Sequence, residues 1–408
     1  MDGFGVRMFS YEGTNCIEKE CYGCGACAQS CPCGAIEMTK GDDGFLYPKV
    51  IEEKCIECGV CKRSCQRRDV VENTKSEPIS VYMAVNKSEE ISKRSSSAGV
   101  AYLLSEYILE AVEGIVFGAV YNEAMGVVHE RIQDISQLYR VQGSKYVQSN
   151  LGDTYRMAES YLKKGRVVLF TGTPCQIGGL YSFLKKDYSN LYTMDVVCFG
   201  AGAPGIFESF IKWKENRIND TIIDINFRDK RVGWGNSITE IKCKSGKKIC
   251  QVSQLNEWYH VFVKHLVTRE SCHSCQYTSV SRKSDITVGD FWGIEKIIPE
   301  LNTREGVSKV LINTVKGSEL FSKINDKIIV KKMLIDNAIR PNLQHPPKKN
   351  PKREVFFEDY KREGFFGAYR KYMKSCSLRE KSKYWVQYAS ATVLGAKGYC
   401  KLRAVLKR

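Results

Sequence analysis

Eight of the eighteen cysteines form two runs with the same spacing, C-x2-C-x2-C-x3-C. Soft thiolates at this spacing are typical of chains that bind two 4Fe–4S clusters. The first three cysteines of a run bind one cluster, and the fourth cysteine of that run binds the cluster held by the other run. The spacing therefore predicts two ligand sets. One set is Cys21, Cys24, Cys27 and Cys65, and the other is Cys55, Cys58, Cys61 and Cys31.

A pair of structural zinc sites is the alternative, because two C-x2-C hooks also supply four thiolates. Two identical four-cysteine runs exceed that requirement, so the pattern favours iron–sulfur clusters. Gly25 and Gly59 occupy matching positions, where the chain must turn tightly around a cluster. Cys16 and Cys33 lie outside the pattern and are predicted to be ordinary thiols. Residues 16–70 resemble the bacterial dicluster ferredoxins.

The composition sets limits on the fold and on the compartment. A chain of 408 residues with 43% hydrophobic residues can form two or three globular domains. No stretch approaches the roughly 20 consecutive apolar residues of a membrane span. Because the cysteines cluster in metal-binding runs and the first residues include no apolar signal region, a reducing cytoplasm is expected. Only five histidines occur, so histidine-based metal chemistry is not expected.

The net charge of +16 is concentrated near the C-terminus. Residues 348–408 contain 17 Lys or Arg and 5 Asp or Glu, so the rest of the chain is not basic enough to indicate nucleic-acid binding. Residues 340–408 are predicted to form a basic, helical tail. Its aromatic and basic residues indicate either a peripheral contact with an anionic membrane or acidic partner, or helices that pack on the domain and leave a solvated basic face. The second interpretation is favoured.

The chain divides into five parts. Residues 1–15 are a lead-in, 16–70 an α+β ferredoxin-like dicluster module, 71–78 a linker, and 79–335 a second domain, followed by the tail. Within the second domain, residues 167–170 and 191–198 read as strands, each followed by a glycine-containing turn and a helix. This repetition predicts an α/β domain with a mostly parallel or mixed sheet. Ligands bind such sheets at the carboxyl ends of their strands.

Three loops of the second domain could contact a ligand. Ser95, Ser96, Ser97 and Gly99 open a helix, and they either cradle a phosphate or form an ordinary serine cap. Lys145 follows a glycine and precedes an aromatic residue. Gly172, Thr173 and Pro174 follow a strand, where cofactor contacts are expected, and Cys175 comes next.

Four cysteines outside the two runs could form another metal site. They are Cys175 and Cys198, which follow strands, and the C-x2-C hook of Cys272 and Cys275. Four thiolates are enough for a third cubane cluster, and the alternatives are a zinc site or a redox disulfide at the hook. Cys243 and Cys250 are predicted to be plain thiols.

Several motifs in one order resemble the coenzyme F-420 hydrogenase/dehydrogenase β-subunit family. They are GSKY at 143–146, GTPCQ at 172–176, FRDK at 227–230, the hook at 272–275, SDI at 284–286 and GDFWG at 289–293. The resemblance covers residues 16–325. It implies that the second domain binds FAD and a 4Fe–4S cluster, and that electrons pass between clusters, flavin and a two-electron substrate. A deazaflavin or a chlorophyll derivative serves in characterised branches.

By position, the resemblance implies roles for thirteen residues. The flavin contacts are Ser95, Ser96, Ser97, Gly99, Lys145, Gly172, Thr173 and Pro174, with Asp290 near the flavin or its partner, and the third-cluster ligands are Cys175, Cys198, Cys272 and Cys275. This chain departs from the family pattern at Ala98, where the family has a glycine.

The expected function is that of an FAD- and iron–sulfur-dependent oxidoreductase with an organic substrate. A ferredoxin-like protein would donate or accept the electrons. The alternative is a non-enzymatic iron–sulfur subunit that delivers electrons to a partner protein and has no substrate site.

Overall fold

The computed structural model describes residues 20–67, 77–235 and 238–373, together with the single positions 378, 382, 386 and 389. The predicted lead-in at 1–15, most of the linker and the tail beyond residue 373 lie outside the described residues, as does Cys16. Statements below concern the described part of the chain.

The N-terminal module is built from two matching halves. One-turn helices α1 (Ala26–Gln29) and α2 (Val60–Arg63) each follow a glycine in the left-handed conformation, with φ of 68° at Gly25 and 67° at Gly59. Strands β1 (Ile36–Lys40) and β2 (Leu46–Val50) form an antiparallel hairpin between them. The module is thus an α+β unit, as the cysteine spacing predicts.

Eight further strands form one mixed sheet. They are β3 (Ser80–Asn86), β4 (Ile115–Tyr121), β5 (Val127–Ile132), β6 (Val168–Gly172), β7 (Leu191–Val196), β11 (Ile286–Asp290), β12 (Ser308–Ile312) and β13 (Ile328–Met333). Their order is β13-β3-β12-β11-β7-β6-β4-β5. The four strands β11, β7, β6 and β4 are parallel to one another, and the other neighbouring pairs are antiparallel.

The expectation of a mostly parallel sheet is therefore wrong, and its alternative, a mixed sheet, is confirmed. The reason lies in the connections. Strand β5 follows β4 through a short turn in which the Asn122 side chain accepts the N–H groups of Ala124 and Gly126. A connection of this length reverses the chain, whereas a parallel neighbour requires a crossover of a dozen or more residues.

Helices cover both faces of this sheet. They are α3 (Glu89–Arg94), α4 (Val100–Glu110), α5 (Thr154–Lys163), α6 (Pro174–Leu184), α9 (Val315–Ser322) and α10 (Ile335–Ala338). Two further helices, α7 (Pro204–Ile218) and α8 (Glu257–Val263), pack with a smaller sheet instead. Helix α4 buries Leu104 and Ile108 against Val310 of β12. Helices α5 and α6 bury Tyr155 and Leu180 beside Phe170 of β6.

A smaller antiparallel sheet lies beside this core. It consists of β8 (Ile222–Asp229), β9 (Ile238–Cys243) and β10 (Lys248–Val252), in the order β10-β9-β8. Its apolar side chains share one cluster with α7, α8 and the last described helix, α11 (Arg353–Met373).

Helix α11 belongs to the predicted basic tail and bends at Gly364, whose φ is 71°. It buries Phe356, Phe365 and Tyr369 in the cluster shared with α7 and α8. These rings are therefore part of the protein interior, as the packing interpretation of the tail predicts. No helix in the described ranges has both the length and the apolar character needed to cross a bilayer.

Candidate iron–sulfur and cofactor site

The module brings the predicted cysteines together across its two halves. The Cys24 thiol interacts electrostatically with Cys21 and Cys65, and the Cys27 thiol with all three. Burial, reinforced by these neighbours, raises the pKa of Cys24 to about 11. We call Cys21, Cys24, Cys27 and Cys65 the first quartet.

The second quartet is Cys55, Cys58, Cys61 and Cys31, and it faces outwards. The Cys61 thiol interacts with Cys31 and Cys55. Cys55 and Cys58 are exposed, and Ile56 between them is 66% exposed. Cys33 lies outside the predicted set, yet its Sγ is 3.6 Å from Sγ of Cys31. This end of the module is thus the one open to solvent.

The third quartet is Cys175, Cys198, Cys272 and Cys275. Strands β6 and β7 are parallel neighbours, with Gly172 opposite Asp195, so the residues that follow them meet at one edge of the sheet. A 3-10 helix, Glu270–Ser274, carries the hook to the same place. Every pair within the quartet interacts electrostatically.

Burial and mutual repulsion raise the pKa values of these thiols. The pKa of Cys198 rises to about 11 and that of Cys272 to about 12. A bound cationic metal centre reverses this effect, because coordinated thiols are deprotonated. Four thiolates and no other charged donor are the ligand set of a cubane cluster, so these residues fit one.

In the described ranges, no group of three or more His, Cys, Asp or Glu side chains is arranged to hold a single metal ion.

The first and third quartets approach each other through two glycines of α6. A Cβ atom at Gly179 would lie 2.8 Å from Cβ and 3.0 Å from Sγ of Cys24. A Cβ at Gly178 would overlap Oη of Tyr277, which donates a hydrogen bond to Gln66. The Gln66 amide in turn donates to the carbonyl of Cys175 at 2.8 Å. The path between the quartets is therefore short and contains no bulky aliphatic side chain at these two positions.

Two cationic side chains bind carbonyl groups of the serine loop, residues 95–99. One belongs to β8 and the other to the residue that follows this strand. The Lys230 ammonium donates to the carbonyls of Ser92, Ser97 and Glu305 at 2.6 Å each. Arg228 donates to the carbonyl of Ser96 at 3.3 Å. Burial, followed by repulsion from Arg228, lowers the pKa of Lys230 to about 7.

On its other side the serine loop meets the loop of residues 143–147. The hydroxyls of Ser96 and Ser144 are hydrogen-bonded at 2.8 Å. Gly99 begins α4 with φ of 81°, and no side chain caps the helix. Ala98 is fully buried and donates its N–H to Ser308, so its methyl group does not line this gap. The arrangement is a polar cradle with an uncapped helix start, which suits an anionic phosphate.

Asp290 ends β11 and adjoins this cradle. Its carboxylate accepts from Arg228 at 3.0 Å and from the indole of Trp234 at 2.9 Å. The Trp234 and Trp292 rings stack with centroids 4.2 Å apart. Arg228 thus links Asp290 to the serine loop.

Several predicted contacts point elsewhere. The hydroxyls of Ser95 and Ser97 donate to the carbonyls of Ile91 and Val307, at 2.8 Å each. Lys145 is buried, and its ammonium donates to the carbonyls of Arg140, Gln142 and Gly143. Burial lowers the pKa of Lys145 to about 8. Gly172, Thr173 and Pro174 form the start of α6, where the Thr173 N–H donates to Gln176. Because Cys175 follows directly, this turn serves the third quartet.

Sequence reasoning missed several residues of the site. Arg228 and Lys230 were part of a motif but received no role, and Gly178 and Gly179 were not singled out. The sequence does contain a signal for the two glycines. Glycine lowers the stability of a helix, so two adjacent glycines inside one indicate a position where close packing requires them. No local pattern marked the buried Arg282.

Two family models match the chain. Residues 165–337 match the model of the C-terminal part of the coenzyme F420 hydrogenase/dehydrogenase beta subunit, and residues 20–68 match the model of the 4Fe-4S dicluster domain. No curated protein matches the chain. A solved chain from a xenon-derivatised F420-reducing [NiFe] hydrogenase complex of Methanosarcina barkeri has 16% identity and a TM-score of 0.42. That match covers 75% of this chain and 95% of the other.

Residues 20–68 are thus similar to a 4Fe–4S dicluster domain, and residues 165–337 to the C-terminal part of the coenzyme F420 hydrogenase/dehydrogenase beta subunit. The chain is therefore an iron–sulfur electron-transfer protein related to that beta subunit.

Proposed function

We propose that the protein is an iron–sulfur flavoprotein oxidoreductase with three 4Fe–4S clusters, FAD and a two-electron organic substrate. The observation that carries this proposal is the third quartet: four cysteines from three distant segments meet at the carboxyl edge of the sheet. They meet next to the first quartet, at the point where Gly179 leaves room for Cys24.

The three quartets suggest an order of electron transfer. The second quartet is open to solvent, so a ferredoxin-like donor or acceptor protein docks there. The first quartet is buried against α6, and the third lies beyond Gly178 and Gly179. Two electrons pass along this path one at a time. Together with protons from solvent, they convert the substrate to its reduced form. In the reverse direction, both electrons return to the ferredoxin-like partner protein.

The polar cradle is the proposed flavin site. Ser95, Ser96, Ser97 and Gly99 would hold the pyrophosphate, with Ser144 across the gap and Asp290 at the side. A bound flavin links single-electron to two-electron chemistry. Lys230 and Arg228 keep the loop carbonyls turned away from the cradle, because their cationic groups bind those carbonyls.

The substrate would be a planar two-electron carrier of the deazaflavin type or another organic molecule. The rival function is electron delivery to a partner protein without a substrate site. The two differ in flavin content, because only the enzyme requires FAD.

The test is anaerobic purification of the wild type and Cys175→Ala, with iron, sulfide and flavin measured on the same samples. We expect about twelve irons and one FAD in the wild type and about eight irons in Cys175→Ala, as three and two cubanes require. Cys250→Ala is the matched control and keeps about twelve. A wild type with about eight irons and no flavin would support the carrier instead.

A further inference from the structure

Arg282 is a buried cation whose hydrogen bonds are incomplete. Its side chain is 1% exposed, and neither Nε nor Nη1 has a hydrogen-bond partner. The paired carboxylate is Asp195, whose Oδ2 lies 3.8 Å from Nη1, and Oδ1 of Asp195 also lacks a partner. Burying a charged group without full pairing costs several kcal/mol. A stabilising structural ion pair would be hydrogen-bonded, so this pair does not account for Arg282.

The third quartet lies close to this cation. The guanidinium is 3.8 Å from Asp195, near the end of β7, and that strand leads directly to Cys198. Arg282 also interacts electrostatically with the thiols of Cys198 and Cys275.

We propose that Arg282 is a positioning residue that directs its free N–H groups at the sulfur atoms of the third cluster and raises the reduction potential of that cluster. This inference rests on the third cluster of the proposed function. Reduction adds one electron to the cluster, and a buried cation with N–H donors stabilises the added charge. Asp195, being negative and close, opposes part of this effect.

The first quartet also lies beside a buried cation, because Arg269 donates to the carbonyl of Cys21 at 2.6 Å. The other nitrogens of that guanidinium donate to Gln148 and to the carbonyl of Leu46, whereas Nε and Nη1 of Arg282 have no partner.

The experiment is a potentiometric titration of the full-length protein, followed by electron paramagnetic resonance. Arg282→Gln should lower the midpoint potential of the third cluster by at least about 59 mV. For a one-electron couple this corresponds to a tenfold change in the reduction equilibrium. Arg282→Lys should lower it less, since it keeps the charge but not the fork of donors. Asp195→Asn should raise it.

Internal and external controls separate the outcomes. The two N-terminal clusters should keep their midpoints in every variant, and Lys283→Gln, next in the chain, should leave all three unchanged. A wild type with about eight irons overturns both the third cluster and this assignment. About twelve irons with an unchanged third midpoint in Arg282→Gln overturns the role of Arg282 alone. If Arg282→Gln does not assemble the third cluster, the test uses Asp195→Asn. An unchanged midpoint potential of the third cluster in that variant overturns the proposed role of Arg282.

Discussion

Gly178 and Gly179 determine how closely the module approaches the second domain. They lie in the first turns of α6, three and four residues after Cys175, and the space that a side chain would need is taken by Tyr277, Gln66 and Cys24. Electron transfer between clusters depends steeply on distance, so these two positions affect function through packing alone.

We expect Gly179→Ala to disturb this contact. Its methyl carbon would lie 2.8 Å from Oη of Tyr155 and from Cβ of Cys24. Alanine gains about 0.5–1 kcal/mol of helix preference, but overpacking costs about 1–3 kcal/mol. The net result is lower stability to urea and weaker magnetic coupling between the first and third clusters.

The matched control is Gly235→Ala, where a Cβ atom would meet open space. It should leave both stability and coupling near wild-type values. Wild-type coupling in Gly179→Ala would show that the glycine does not set the distance between the clusters.

His129 makes stability depend on pH. Burial, together with repulsion from Lys145, lowers the pKa of His129 to about 4. The ring is hydrogen-bonded to the Thr171 carbonyl at 2.9 Å and to the Ser149 hydroxyl at 2.8 Å. The folded state therefore contains neutral histidine, while the unfolded chain binds a proton below about pH 6.5.

This difference in proton binding between the folded and unfolded states makes the free energy of unfolding depend on pH. Between about pH 6.5 and 4 the unfolded state binds more protons, so stability falls as pH falls, by about 2 kcal/mol at pH 5. We expect His129→Gln to lack this contribution. The measurement is the free energy of unfolding in urea at pH 7.5, 6.5 and 5.5 for both proteins. Parallel pH curves would refute the role of His129.

At the scale of elements, the serine loop depends on residues from a different sheet. Strand β8 and the turn after it place Arg228 and Lys230 against the carbonyls of the loop. The loop conformation is therefore set from the smaller sheet and not by the serine sequence alone. This dependence explains why FRDK and the serine loop occur together in one site.

We expect Lys230→Met to lower flavin content and leave iron content unchanged. Three buried carbonyls would lose their donor, at about 1–3 kcal/mol for each unsatisfied group. The loop would then rearrange. The measurement is the ratio of FAD to iron in anaerobically purified protein. Lys248→Met, an exposed lysine of β10, is the control, and an unchanged ratio in Lys230→Met would argue against a flavin site at this loop.

At the scale of the whole molecule, Arg269 is one of the side chains that join the module to the second domain, together with Arg156. Arg269 is almost completely buried and donates to the carbonyls of Cys21 at 2.6 Å and Leu46 at 3.0 Å. It also lies over the ring of Tyr47, with Cζ 4.4 Å from the centroid. A single side chain thus contacts both a cluster loop and strand β2.

We expect Arg269→Met to loosen this interface by roughly 3 kcal/mol, because two module carbonyls and Gln148 lose a charged donor. Amide hydrogen exchange in β1 and β2 should become faster, while that of β6 and β7 stays near wild type. Arg217→Met, an exposed arginine of α7, serves as control. Equal exchange in the hairpin of Arg269→Met and wild type would exclude Arg269 as the main link.

Much of the architecture could be predicted locally. The predicted strands at 167–170 and 191–198 correspond to β6 and β7, because continuous apolar residues are a local signal. Helix α6 begins at Pro174, because Thr173 and Gln176 cap one another. Whether the outer strands run parallel or antiparallel could not be predicted locally, because it depends on which neighbour each strand pairs with.

The cysteine spacing by itself determined the dicluster domain, which a family model matches at residues 20–68, because cluster ligands within one short module obey a local rule. The tertiary structure alone decided that Cys175, Cys198, Cys272 and Cys275 come together, that Lys145 turns inward, and that Arg282 is buried beside Asp195. Those residues are separated by long stretches of chain, and their contacts depend on strand order and packing, which no local pattern encodes.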